Sequence, residues 1–132
     1  MTTYEHQQPV TGGTEQHQIS TDMQRCIDAC VNAHAVCVAA VEYCLKVGGK
    51  HANPEHIRML LDTAEMCETA AHFMLRGSPL HTRTCGLTSE VAEECANSVE
   101  SLDSGDPQLR AVADAIRECV VSCREMAREE LH

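Results

Sequence analysis

Aromatic side chains are almost missing from this sequence, which has no tryptophan, two tyrosines and one phenylalanine among its 132 residues. A chain of this length is expected to fold as one domain and can bury a sizeable core. Because large rings are so scarce, the core has to be built from leucine, valine, isoleucine, methionine and alanine, together with nine cysteines.

Positive charge is also scarce, since ten Lys and Arg residues face twenty Asp and Glu residues and the net charge is −10. Nucleic acids and anionic membrane surfaces both require basic patches, so we expect neither as a partner. Residues 1–20 hold no Lys, no Arg and no apolar run, which is unlike a secretory signal. No other segment approaches the roughly 20 apolar residues of a membrane span. We therefore expect a cytoplasmic protein whose thiols stay reduced.

Several cysteine and histidine motifs are absent as well. The sequence contains no C-x-x-C, the spacing that is typical of zinc knuckles, iron–sulfur runs and dithiol redox enzymes. The odd number of cysteines weighs against a disulfide framework. A di-iron bundle needs two E-x-x-H motifs on core faces, and the sequence offers only Glu129 to His132 at its frayed end. The expected role is therefore not enzymatic.

Helix start and stop signals divide the sequence into a tail and four predicted helices. Asn53-Pro54 and Asp106-Pro107 are N-cap and first-turn pairs, Ser20 or Thr21 is a third N-cap, and glycines end the first two helices. These signals predict a flexible polar tail over residues 1–19 and a bundle over 20–131, with helices at about 20–47, 54–76, 80–102 and 107–130. Short turns between long helices predict an all-α fold, an antiparallel up-down-up-down four-helix bundle.

The cysteines follow the helical period. The stretch "CIDACVNAHAVCVAAVEYC" carries four of them along one stripe of the first helix, and all nine can occupy core-facing positions. With a rise of 1.5 Å per residue, six thiols fall within about 10 Å of one another along the bundle axis: Cys26, Cys30, Cys67, Cys85, Cys119 and Cys123. Cys37 and Cys95 meet about one layer away. Cys44 is isolated in a hydrocarbon half and is interpreted as plain core.

This pattern favours a soft metal. Cys26/Cys30 and Cys119/Cys123 are i, i+4 pairs, which place two sulfurs on one face. Thiolates with methionine nearby select Cu(I) ahead of Zn(II), and the crowd of thiols favours several ions. His81, Met74 and Met126 lie at the mouth of the thiol layer, whereas His51 and His56 near the far turn are expected to be solvated. A Zn(II) or other soft-metal binder, and a helical scaffold whose cysteines only pack, stay open.

The first-helix stretch and "DPQLRAVADAIRECVVSCREMA" on the fourth helix resemble the cysteine-rich four-helix-bundle copper storage proteins of bacteria over residues 20–131. The resemblance implies a core that binds many Cu(I) ions, Met or His residues at the end where copper enters, a tetramer, and a cytosolic form without an export signal. Here the second helix carries Cys67 alone. A smaller Cu(I) cluster for buffering, delivery or sensing is therefore as consistent with the resemblance as storage of many ions.

Overall fold

The computed structural model describes residues 18–102 and 105–129, and these form four α-helices and one short 3-10 helix, without a strand in either range. In chain order they are α1 (Thr21–Val47), the 3-10 helix Gly49–Ala52, α2 (Pro54–Leu75), α3 (His81–Leu102) and α4 (Pro107–Arg128). Each helix packs against the next one along the chain, and α4 packs back on α1. The prediction of an all-α, antiparallel four-helix bundle is confirmed. The expected tail over residues 1–19 falls almost wholly outside the described residues, which begin at residue 18.

Three helices begin at side-chain caps that satisfy backbone N–H groups of the first turn. Ser20 accepts from the N–H of Met23 at 3.1 Å, and Asn53 and Asp106 each accept at 2.8 Å from the N–H two residues later. Pro54 and Pro107 then occupy first-turn positions that lack a hydrogen-bond partner in any helix. The helix starts are therefore local properties of the chain.

Glycines in the left-handed region end the first two helices. Gly48 has φ 78° and its N–H donates to the carbonyl of Cys44 at 3.0 Å. Gly77 has φ 69°, and the N–H groups of Gly77 and Ser78 donate back to Met74 and Phe73 at 3.1 and 3.0 Å. This is a Schellman motif, in which a residue without a Cβ adopts positive φ at low cost.

The core is divided into two halves along the bundle axis. One half, which we call the thiol half, packs six cysteines with small residues and methionines, including Met23, Ala33, Ala71, Met74 and Met126. The hydrocarbon half packs aliphatic side chains such as Leu60, Val99, Leu109 and Ile116, together with Cys37, Cys44 and Cys95. The bundle therefore presents two chemically different environments at its two ends.

Helix α1 is apolar enough to raise the question of a membrane. By length and composition it is the one helix among the described residues that could cross a bilayer, which differs from our expectation that no segment comes close. The core helix of a soluble bundle meets the same criterion. The cysteines of α1 are buried against the other helices, and its exposed face carries charged residues that include Asp22, Arg25, Glu42 and Lys46.

Candidate metal centre

All nine cysteine side chains lie in the interior of the bundle. Each has a relative exposure of 0%, and each is a free thiol. They come from all four helices because core-facing positions recur every three or four residues along a helix. Every helix therefore contributes at least one thiol to the interior.

Six of these thiols are in mutual contact, and we call them the six-thiol cluster: Cys26, Cys30, Cys67, Cys85, Cys119 and Cys123. The Sγ atom of Cys123 lies 3.4 Å from that of Cys30 and 3.7 Å from that of Cys26. Cys119 lies 3.6 Å from Cys67 and 3.8 Å from both Cys30 and Cys123. Cys85 packs in the same buried cluster, and Cys123 and Cys26 both influence its pKa. The structure brings together the six residues that the helical rise placed at one level.

Three members of the cluster have the geometry of a metal-binding triangle. The sulfur atoms of Cys26, Cys30 and Cys123 all lie within 4.8 Å of one another. An ion bound to three sulfurs by bonds of about 2.3 Å separates them by about 4.0 Å. The shorter measured separations of 3.4 and 3.7 Å therefore require only small side-chain rotations to admit such an ion.

Hydrogen bonding and burial set the acidity of the thiols. Hydrogen bonds from its neighbours, led by Cys123, favour the thiolate of Cys119 and lower its pKa. Hydrogen bonding to Cys119, together with burial, raises the pKa of the donating thiols, which are Cys30, Cys67 and Cys123. A hydrogen bond from Cys123 lowers the pKa of Cys85, but contact with Cys26 and burial outweigh it and raise that pKa to about 12. Without metal, the cluster is therefore mainly protonated at neutral pH.

Cys37 and Cys95 form a separate thiol pair between α1 and α3, within the hydrocarbon half. The hydrogen bond from Cys37 to Cys95 raises the pKa of Cys37, as does burial, and it lowers the pKa of Cys95. The pair is one layer beyond the six-thiol cluster along α1, because Cys37 follows Cys30 by two helical turns. The pair therefore places two more thiols on the side of the six-thiol cluster that faces the middle of the bundle.

His81 stands at the outer edge of the thiol half, at the start of α3. Its Nδ1 lies 2.9 Å from the carbonyl oxygen of Ser78, which assigns the ring proton to Nδ1 because a carbonyl only accepts. Nε2 is then a lone pair, and this buried atom has no hydrogen-bond partner among the described residues. A metal-binding imidazole uses the same arrangement, with one nitrogen held and the other free.

Met74 and Met126 pack against the six-thiol cluster in the same half of the core. Their relative exposures are 0% and 2%, so the thioethers are buried beside the cluster rather than displayed on the surface. Each can act as core packing or as a soft donor.

The expectation that His56 is solvated is wrong. Its relative exposure is 4%, its Nε2 lies 3.5 Å from the Sγ of Cys44, and its Nδ1 lies 2.9 Å from the hydroxyl of Ser98. Cys44 therefore has a polar neighbour and is not surrounded by aliphatic side chains alone. One signal in the sequence pointed to this: His56 precedes Leu60 by four residues and continues the core-facing row of α2.

Two other histidines are half-buried away from the thiols. His34 is half-buried between helices, with Nδ1 2.9 Å from the carbonyl oxygen of Ala64, as expected for a helix–helix boundary. His51 lies in the 3-10 helix and is half-buried rather than fully solvated. Neither lies in the six-thiol cluster.

The chain is similar to proteins of known family and fold. The family model described as Copper storage protein matches residues 19–128. A curated relative, the uncharacterized cysteine-rich protein YhjQ of Bacillus subtilis (strain 168), is 29% identical over 104 residues, which cover 79% of this chain and 94% of the relative.

Two solved structures share the bundle. The Nmul_A1745 protein from Nitrosospira multiformis has a TM-score of 0.77 and 36% identity, and the match covers 82% of this chain and 96% of that one. The Cu(I)-bound copper storage protein BsCsp3 has a TM-score of 0.74 and 27% identity, and the match covers 81% of this chain and 99% of that one.

Proposed function

Because the chain belongs to the copper storage protein family, we propose that its six-thiol cluster holds Cu(I) through cysteine thiolates, for storage or buffering of copper. The observation that carries the proposal is the set of sulfur–sulfur contacts at 3.4 to 3.8 Å, which join residues of α1, α2 and α4 in a buried space. Six reduced thiols in contact would form an oxidisable core if no ion occupied it. A thiolate-binding metal removes that liability.

Cu(I) fits the donors better than Zn(II) does. Soft sulfur ligands select Cu(I), and Cu(I) accepts two or three of them, as the triangle of Cys26, Cys30 and Cys123 offers. Zn(II) requires four ligands in a tetrahedron. The family supports the same choice, since BsCsp3 is a Cu(I)-bound bundle of the same fold.

We assign two further roles to the remaining predicted residues. His81, through its free Nε2, and Met74 and Met126, through their thioethers, transfer Cu(I) between the surface and the cluster. Cys37 and Cys95 extend the capacity by a further site. Because the donors outnumber what one ion needs, several Cu(I) ions are bound.

The wider setting of the protein belongs to the same proposal. Copper ions are its partners, and the low number of basic residues argues against nucleic acid or an anionic membrane surface. A storage role needs binding and release without catalysis. We place the protein in the cytoplasm, where thiols stay reduced. Val31, Val38 and Leu45 are exposed apolar residues on α1 and support self-association. Resemblance to the family implies a tetramer.

The test is a titration of the fully reduced protein with Cu(I) against a competing chelator. We expect several tight equivalents in the wild type, and a loss of at least one when Cys26→Ala and Cys30→Ala are combined. Ile27→Val is the matched control, because it removes one buried methylene from the same turn without touching a sulfur. Binding of less than one tight equivalent, or full binding by the double variant, would contradict the proposal and favour a scaffold with packing cysteines.

A further inference from the structure

A cysteine and a histidine meet at the end of the bundle opposite to the six-thiol cluster. Cys44 lies in the last turn of α1 and His56 in the first turn of α2, and the 3-10 helix Gly49–Ala52 folds the chain back between them. Their relative exposures are 0% and 4%. The Sγ of Cys44 and the Nε2 of His56 are 3.5 Å apart. Two good metal donors are thus held face to face inside the protein.

The hydrogen bonds orient the lone pair of His56 toward the sulfur. Burial raises the pKa of Cys44, so the thiol keeps its proton and is the donor to Nε2. The ring proton is then on Nδ1, which donates to the hydroxyl of Ser98 at 2.9 Å. Burial, followed by the field of His51, lowers the pKa of His56 and keeps the ring neutral. A metal-binding histidine is commonly held in this way, with its other nitrogen donating to a fixed acceptor.

The separation of the two donors suits one bridging ion. With bonds of about 2.3 Å to sulfur and about 2.0 Å to nitrogen, a bent arrangement near 110° places the donors about 3.5 Å apart, and a linear one about 4.3 Å. Because Cu(I) with two donors favours a near-linear arrangement, rotation of the side chains has to widen the 3.5 Å separation by about 0.8 Å. Binding requires this widening, together with replacement of the thiol proton by the ion.

The pair is independent of the six-thiol cluster. Cys44 follows Cys30 by fourteen residues on one continuous helix, which is about 21 Å along its axis. Cys37 lies between them on the same helix, and Cys44 packs in the hydrocarbon half, which contains none of the six thiols. An ion at Cys44 therefore cannot share ligands with the cluster.

We propose that Cys44 and His56 form a second, single-ion Cu(I) site, with Ser98 as the residue that holds the imidazole in position. Cu(I) is favoured because the site has two strong donors, whereas Zn(II) requires four, and the one group of three or more close donors found among the described residues is in the six-thiol cluster. The choice of ion rests on the proposed function, but the site does not depend on occupancy of the cluster.

The first test observes the wild type, so that folding of a variant is not at issue. Cu(I) is added to the reduced protein labelled with ¹⁵N, and the imidazole nitrogens of His56 are followed by NMR. We expect a large shift of Nε2 upon saturation, with Nδ1 still protonated. No movement of either nitrogen at saturation overturns the site. Movement of His56 while the six-thiol cluster fails to titrate leaves this site standing and contradicts the proposed function.

The second test counts ions. His56→Gln and Cys44→Ala are each expected to lower the Cu(I) stoichiometry by one equivalent, and their combination is expected to lower it by the same single equivalent. His51→Gln is the matched control, since it removes a neighbouring histidine from the same turn region and is expected to bind as much as the wild type. Equal stoichiometry in the wild type, His56→Gln and His51→Gln overturns the proposal, even if the cluster binds normally.

Discussion

Sulfur, not charge, distinguishes the functional residues of this protein at the residue scale. Cys119 is the thiol that hydrogen bonds prepare for ionisation, because it accepts from several neighbours at once. The thiols around it are held in the protonated form by the same hydrogen bonds. Under the proposed function, Cu(I) displaces protons from these thiols as its bonds to sulfur form.

Copper uptake is therefore expected to release protons. The raised pKa values of Cys30, Cys67, Cys85 and Cys123 mean that these thiols are protonated at pH 7 and lose their protons only when the metal binds. For each proton displaced, the apparent dissociation constant should rise about tenfold per unit fall in pH. Proton release into weakly buffered solution during titration measures the effect. Uptake without release would show that the thiols are already ionised and contradict the account.

His81→Gln is expected to slow the exchange of Cu(I) with an external chelator several-fold. The free Nε2 lone pair at the edge of the thiol half is lost, whereas the six sulfurs remain, so the stoichiometry should fall by one ion at most. Stopped-flow transfer from a coloured Cu(I)–chelator complex measures the rate. His72→Gln is the control, since His72 is exposed on α2. Equal rates for the two variants would remove His81 from the pathway.

At the scale of a helix, α3 contains a glycine at a position where the backbone conformation does not require one. Gly86 is in the interior of α3, and a Cβ built on it would lie 3.5 Å from the Cβ of Ala127, which is ordinary contact. We expect Gly86→Ala to stabilise the metal-free protein by about 0.5 to 1 kcal/mol, because alanine favours the helix. Urea unfolding under reducing conditions measures the change.

Gly77→Ala provides the opposite control. Gly77 ends α2 with φ 69°, where a Cβ costs about 1 kcal/mol or more. Destabilisation by Gly86→Ala would mean that α3 and α4 require a close approach at this point that an added methyl group prevents.

The helices also show where periodicity alone misplaces a residue. Hydrophobicity favours Ile57 as the first core position of α2, but His56 is buried and Ile57 only partly so. One residue corresponds to about 100° around the helix axis. Hydrophobicity favours the isoleucine, and only the thiol of Cys44 and the hydroxyl of Ser98, on two other helices, make burial of the histidine favourable.

At the scale of the whole molecule, α1 presents a row of apolar residues to solvent. Val31, Val38 and Leu45 recur every seven residues with relative exposures of 52%, 47% and 55%. Residues seven apart lie on the same face of a helix. Such a row on the outside of a bundle is a candidate contact between copies of the chain.

Val38→Glu is expected to shift the protein toward the monomer. A charge in the middle of the row would be buried without a partner in an assembly, while the cysteines on the opposite face of α1 stay in place. Light scattering after size-exclusion chromatography measures the mass, and the Cu(I) stoichiometry per chain should not change. Leu87→Glu, on α3 and also exposed, is the control. An unchanged mass for Val38→Glu would exclude this row as the contact.

Local backbone geometry accounts for most of what could be predicted from the chain alone. Ser20, Asn53 and Asp106 cap helices within two or three residues of themselves, and period and rise place Cys26, Cys30, Cys67, Cys85, Cys119 and Cys123 at one level. Contacts across helices were decided only by packing. The burial of His56 on α2 depends on Cys44 of α1 and Ser98 of α3. The reason is that pitch and rise are the same in every α-helix, whereas the rotation of one helix against another depends on all the side chains between them.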